Sequence, residues 1–390
     1  MSDDRLVLQI RRTVKESIRR RLLPAVLAVF ILAAASPTMT GAANPAAIPR
    51  EHATRQARGG ASENIDLELV KLAERGDTRL FHARLQSLID DRTLPVAARE
   101  RLLERGALLF GNLAPDEPAL RLIASLSEHE PQTWVWLEDG GHRSAVPMFD
   151  PAAAARLTER RWEARKTEDQ IAAMIARSSA GIIDTLADAN IAQRAGAKNA
   201  ITLFREEQLL HQKPELLLAL DQGRPVGWYV AAIATRTADV DLAAAVIAHG
   251  EPRVVIDMLD ALADRLGPEE FLPLLQRSLD EPPLASHSLF LIARIAPSSP
   301  VAQTVLWRQF EGPGNGASAA AALARLSDPA VAARAASIVS DASADPALRR
   351  RALLALCLDR GDAASRHLGV LQVALSDDEL GREASKCGSR

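Results

Sequence analysis

The chain has 390 residues, enough for two or three compact domains or one long repeat array. Its 47% hydrophobic and 25% charged residues are the balance of an ordinary folded protein, and only 4% aromatics favour closely packed Ala- and Leu-rich helices over a β-sandwich. The formal charge of −3 divides into +4 over residues 1–42 and −7 over residues 43–390, and an acidic body is a poor fit for a nucleic-acid binder.

The amino terminus reads as an address. A basic stretch over residues 1–21 precedes the 14-residue apolar run Leu22–Ala35, which is short for a bilayer span and the length of a signal-peptide core. Small residues follow at Thr40-Gly41-Ala42-Ala43, so the expectation is a signal peptide over 1–42, cleaved after Ala42 or Ala43, and an exported, periplasmic protein. Arg19-Arg20-Arg21-Leu22-Leu23 keeps the twin-arginine route open, and an uncleaved anchor is the other alternative. No Cys stands at the cleavage position for a lipid anchor. Residues 43–62, rich in Ala, Pro, Gly and charge, are expected to form a flexible leader.

Helical patterns then occupy about 64–75, 78–90, 95–110 and 116–128, a block over 63–130. The next stretch, 131–150, breaks the pattern. Thr133-Trp134-Val135-Trp136-Leu137 alternates like a strand, Glu138-Asp139-Gly140-Gly141 is a turn, and His142–Phe149 returns, so a β-hairpin is predicted with Trp134 and Trp136 on one face. Two readings of it stay open: a plug between two helical blocks, or a recognition arm using Trp134, Trp136, His142 and Arg143.

Helices resume over 151–165, 168–188, 190–211, 214–221 and 226–235. The alternating charges Arg156, Glu159, Arg160, Arg161, Glu163, Arg165 and Lys166 are read as a solvated face with pairs three residues apart. Farther on the chain repeats itself. Glu/Asp-Pro-x-Leu/Val occurs at Glu117, Glu251, Glu281, Asp328 and Asp345, an acid that caps free N–H groups followed by proline in the first turn. Arg265, Arg294 and Arg325 close helices 29 and 31 residues apart. Helix starts fall near 252, 268, 282, 297, 314, 328, 345 and 361, roughly 15 residues apart, so two helices make one unit of about 30. Leu348, Ala352, Ala355 and Leu356 form the buried stripe of one such helix.

Residues 268–296 resemble a HEAT repeat, with Glu270-Phe271-Leu272-Pro273-Leu274-Leu275, the turn Asp280-Glu281 and the apolar end Leu291-Ile292-Ala293. Asp345-Pro346-Ala347-Leu348-Arg349 is similar to the opening of a HEAT second helix. The resemblance, good over about 230–376 and looser over 64–130, implies an all-α fold, an α-α superhelix of HEAT-like solenoid type with a small hairpin insert, the repeats running over 151–376. It implies an Asp–Arg ladder between units, but Val255 and Ala285 stand where Arg349 does, so continuity of that ladder is not expected.

Cys357 is expected as a buried thiol and Cys387 as an exposed one in a loose polar tail over 377–390, with a disulfide between them as the alternative. The eight histidines include no H-E-x-x-H, Glu311–Gly316 lacks the ending of a phosphate loop, Asp239-Val240-Asp241 reads as a helix start, and no serine elbow occurs, so neither metal nor cofactor is expected. The leading functional expectation is a non-catalytic envelope scaffold that binds a protein or peptide, not nucleic acid, and meets a membrane only through an uncleaved amino terminus. The alternatives are an enzyme, a lyase or hydrolase, on a helical-repeat fold, and a structural subunit of a membrane-attached complex.

Overall fold

The computed structural model describes residues 47–177, 181–375 and 379–387. The fold is all-α with one small antiparallel hairpin: 21 α-helices stand among the described residues. The expected signal peptide over 1–42 lies outside them. The expected flexible leader is, from Arg50 on, helical: α1 (Arg50–Ala57) buries Ala53 and Ala57, and α2 (Gly60–Arg75) begins before position 62. An amphipathic face, hidden in an Ala- and Gly-rich composition, is what docks this stretch.

The amino-terminal block continues with α3 (Thr78–Ile89), α4 (Val96–Phe110) and α5 (Glu117–Ser127). After the hairpin, β1 (Trp134–Asp139) and β2 (His142–Pro147), comes α6 (Pro151–Ala176), a single helix where two were expected. Its first half packs Ala154, Ala155 and Trp162 into the amino-terminal core; its second half gives Ile171 and Ile175 to a separate core that extends to Ala384. α6 thus bridges the two cores. Its charged residues do not form the expected pairs along one helix. Arg161 donates to the Leu108 carbonyl, Arg165 to those of Gly111 and Leu113, and Arg156 to that of Ser127. Cations at helix carboxyl ends meet both the free carbonyls and the negative end of the dipole, which outweighs an exposed pair.

The second core is built by α7 (Ile182–Leu186), α8 (Ile191–Ile201), α9 (Glu206–Leu210), α10 (Lys213–Asp221), α11 (Gly227–Thr237), α12 (Val240–His249), α13 (Pro252–Leu262), α14 (Pro268–Ser278), α15 (Pro282–Ile295), α16 (Pro300–Glu311), α17 (Gly316–Ala324), α18 (Pro329–Ser340), α19 (Pro346–Leu358), α20 (Asp362–Ala374) and α21 (Glu379–Cys387). Alternate helices stack in rows. One row runs α8, α11, α13, α15, α17, α19, α21; α10, α12 and α14 form the other, which α18 and α20 resume. Ala-rich α17 buries Ala319, Ala320 and Ala322, and small side chains let the rows approach closely.

Proline stands in the first turn of α13, α15, α18 and α19. Of the acids before it, Asp328 and Asp345 accept the Ala330 and Ala347 N–H groups at 2.8 and 2.6 Å. Glu251 and Glu281 make no side-chain cap, the longer arm being poorly matched to a cap position, where Asp, Asn and Ser are favoured. Between units of the first row, Asp260 meets His287 at 2.9 Å, Ser286 meets Ser318 at 2.8 Å, Asp264 pairs with Arg294, and Arg265 donates to the Arg236 carbonyl at 2.9 Å. Arg349 instead reaches the Val339 carbonyl at 2.9 Å, inside its own helical hairpin.

The carboxyl end corrects two expectations. Residues 379–387 form α21, which buries Leu380 and Ala384, and Cys357 and Cys387 are joined in a disulfide with Cα atoms 5.3 Å apart. The polar composition of 377–390 concealed a helix whose apolar residues recur at positions 380, 384 and 387, one face.

α6 and α8 meet at Gly196, where an added Cβ would lie 1.9 Å from the Ala164 carbonyl oxygen. Gly196→Ala is therefore expected to lower stability by roughly 2–3 kcal/mol, as overpacking against backbone does, with the loss read from urea unfolding.

Candidate partner-binding site

The hairpin rises from a base fixed by α4. Glu100 of α4 is fully buried, and its carboxylate accepts the Gln132 N–H at 2.5 Å and the Thr133 N–H at 2.8 Å, with His129 Nε2 at 3.2 Å. One turn on, Glu104 accepts the Asp150 N–H at 3.3 Å. Burial raises the Glu104 pKa, the backbone hydrogen bond opposes this, and the charges of Asp150 and Glu100 add to the rise. Ile48 forms a parallel bridge to Val135 on the outer edge of β1, donating to the Trp134 carbonyl at 3.0 Å. Gly140 and Gly141, with φ of 54° and 86°, make a two-residue turn that other residues adopt only with strain.

Pairing runs from Trp134 opposite Pro147 to Asp139 opposite His142. Because side chains alternate, Trp134, Trp136, Glu138, Arg143, Ala145 and Pro147 share one face. The structure brings three of the four expected contact residues together. The Arg143 guanidinium lies 4.4 Å from the Trp136 ring centre and 3.9 Å from Glu138, and the Trp134 indole donates to the Pro131 carbonyl at 2.9 Å. His142 falls on the opposite face, an exposed position beside the turn. Trp134 is tied to the base, whereas half-buried Trp136 and exposed Arg143 form a stack near the free end.

Sequence reasoning missed a second feature. Trp228 at the start of α11 is 6% exposed, and its indole N–H is buried without an acceptor among the described residues. Arg194 of α8 lies 5.5 Å from its ring centre. Trp228 walls two cavities, one of about 280 Å³ and one of about 100 Å³. The smaller shares His249 with an open cavity of about 530 Å³ over α12 and the turn after α14. Nearby, Lys213 joins Asp239 at 2.8 Å and Asp241 at 2.7 Å. Hydrogen bonds that Lys213 donates to the two carboxylates raise its pKa, Asp239 first, while Asp239 also caps α12 by accepting the Leu242 N–H. The acid pair is thus occupied as a helix start and an ion pair. Burial raises the Tyr229 hydroxyl pKa, and that hydroxyl donates to Gln212 Oε1 at 3.3 Å.

Among the described residues no group of three or more His, Cys, Asp or Glu gathers to hold a metal ion, and no helix is long and apolar enough to cross a membrane. In comparisons with protein families, curated proteins and solved structures, nothing matches this chain.

Proposed function

We propose that the protein is an exported, non-catalytic scaffold of the HEAT-like repeat kind, which holds a protein or peptide partner in the cell envelope. The carrying observation is the Trp136–Arg143 stack, held out on a hairpin whose base alone is tied to the core. Tryptophan and arginine are the residue types that most often anchor interfaces, and a stacked pair loses little side-chain freedom on binding. The repeat reading is supported by helices that stack on the next but one and by starts about 15 residues apart. Export is supported by the basic and apolar segments before position 43 together with the Cys357–Cys387 disulfide, since such bonds persist mainly in oxidising compartments. The acidic body favours protein over nucleic acid.

The test is affinity capture from the envelope fraction with the native chain and Trp136→Ala in parallel. The variant is expected to lose the partner that the native chain retains. Its stability should fall by only about 1 kcal/mol, the worth of an exposed cation–π contact. Retention of the same partner by the variant overturns the assignment of the hairpin as the contact.

A further inference from the structure

A disulfide sealed inside a core is reduced when the fold opens, whereas one within reach of solvent is open to direct attack by a thiol. The Cys357–Cys387 bond is of the second kind. Both cysteines are half-buried, and both line one cavity of about 330 Å³ between α19 and α21. Leu353, Leu354 and Leu358 give it an apolar wall from α19, and Leu354 and Leu358 are themselves exposed. The bond also sits where its opening disturbs little else. α21 has nine residues, buries Leu380, Gly381 and Ala384, and packs on α19 and α20. So short a helix is marginal by itself, and in a stack its release is felt by its neighbours alone. The chain has two cysteines in all, so a reduced pair has no other cysteine of the chain to join when it is oxidised again.

We propose that this bond is a thiol–disulfide exchange site, opened in the folded protein by a partner that presents a dithiol at the cavity. It stands apart from the hairpin contact and does not depend on it. A thiolate of the dithiol attacks Sγ of Cys387, on the helix that is free to move. The bond to Cys357 breaks, and Cys357 Sγ leaves with the electron pair and takes a proton from water. The second thiolate of the partner then attacks the partner's own sulfur in the mixed disulfide, and Cys387 Sγ leaves and is protonated in the same way. Two electrons have passed to the cysteine pair, and the dithiol has become a disulfide. A disulfide reagent runs the same steps in reverse and closes α21 again.

The probe is dithiothreitol, added at graded concentrations to the purified, oxidised protein without denaturant. Samples are quenched in acid and alkylated, and the reduced fraction is read by mass spectrometry. The unfolding rate is measured separately by a jump into urea. Reduction should rise in proportion to dithiothreitol, exceed the unfolding rate by about tenfold or more, and hardly change with urea below the unfolding transition. Leu354→Trp, at an exposed position in the cavity wall, should slow reduction about fivefold by filling the space, with the urea midpoint unmoved. Leu358→Trp, also exposed and in the wall, takes its place if that variant loses stability. After removal of dithiothreitol, glutathione disulfide should restore the bond and the amide protection of α21. A rate that levels off at the unfolding rate or climbs with urea in step with unfolding overturns the proposal. So does undiminished reduction of a stably folded cavity variant, or failure of the pair to form again.

Discussion

Glu100→Ala is expected to cost roughly 3–5 kcal/mol and to free the hairpin from the helical block, because it strands two backbone N–H groups at once, that of Thr133 buried and that of Gln132 partly so. Gln132 and Thr133 donate to the two oxygens of this one carboxylate, and His129 adds a third contact. Thr133 is itself buried, so water does not readily replace the lost acceptor. Glu100→Gln tests the mechanism: one amide oxygen remains to accept, while the NH2 faces a second donor, so the loss should be smaller than for Ala but still clear. Urea unfolding measures the stability, and hydrogen exchange at the Gln132 and Thr133 amides reports the hairpin base directly. If both amides stay protected in Glu100→Ala and stability falls by less than about 1 kcal/mol, the Ile48–Val135 bridge holds the hairpin instead.

The features legible in the sequence are those with a local cause. Proline in a first turn and apolar residues three and four apart act within one helix, so the starts near 252, 268, 282 and 345 fall within a residue of the observed ones. Strand alternation and a Gly-Gly turn likewise place the hairpin at 134–147. The same alternation puts His142 and Arg143 on opposite faces, a consequence of period two that was available from the sequence once the register was drawn. What stayed hidden arises where separate elements meet. Glu100 sits in an otherwise amphipathic helix, and nothing within α4 says that the amides 32 and 33 residues later converge on it. The Trp228 cleft is assembled from α8, α11 and α13, and a tryptophan at a helix start reads locally as core. The arginines of α6 look like an exposed charged face until the carboxyl end of α4 is laid against them.

The disulfide is the case between these two, and its removal is the other large expected effect. Cys357 and Cys387 are 30 residues apart, about one repeat unit, so the period that places α19 and α21 in one row also brings the two cysteines together. Closing a loop of that length restricts the unfolded chain by about 3.5 kcal/mol at 25 °C in the loop-entropy account, and a double Cys357→Ser, Cys387→Ser variant should lose an amount of this order. In a stack where each unit touches only its neighbours, the loss should be local. α21 should detach first, uncovering Leu353 of α19, while α8 to α15 keep their protection in hydrogen exchange. The same result is expected for the native chain in reductant, with no titratable thiol before reduction and two after it, when unfolded. Equal protection of α19 to α21 with and without the bond would mean that Leu380 and Ala384 hold the helix unaided. A protein that needs this bond to close its last helix is complete only where thiols are oxidised, so the size of the loss also weighs on where the chain works.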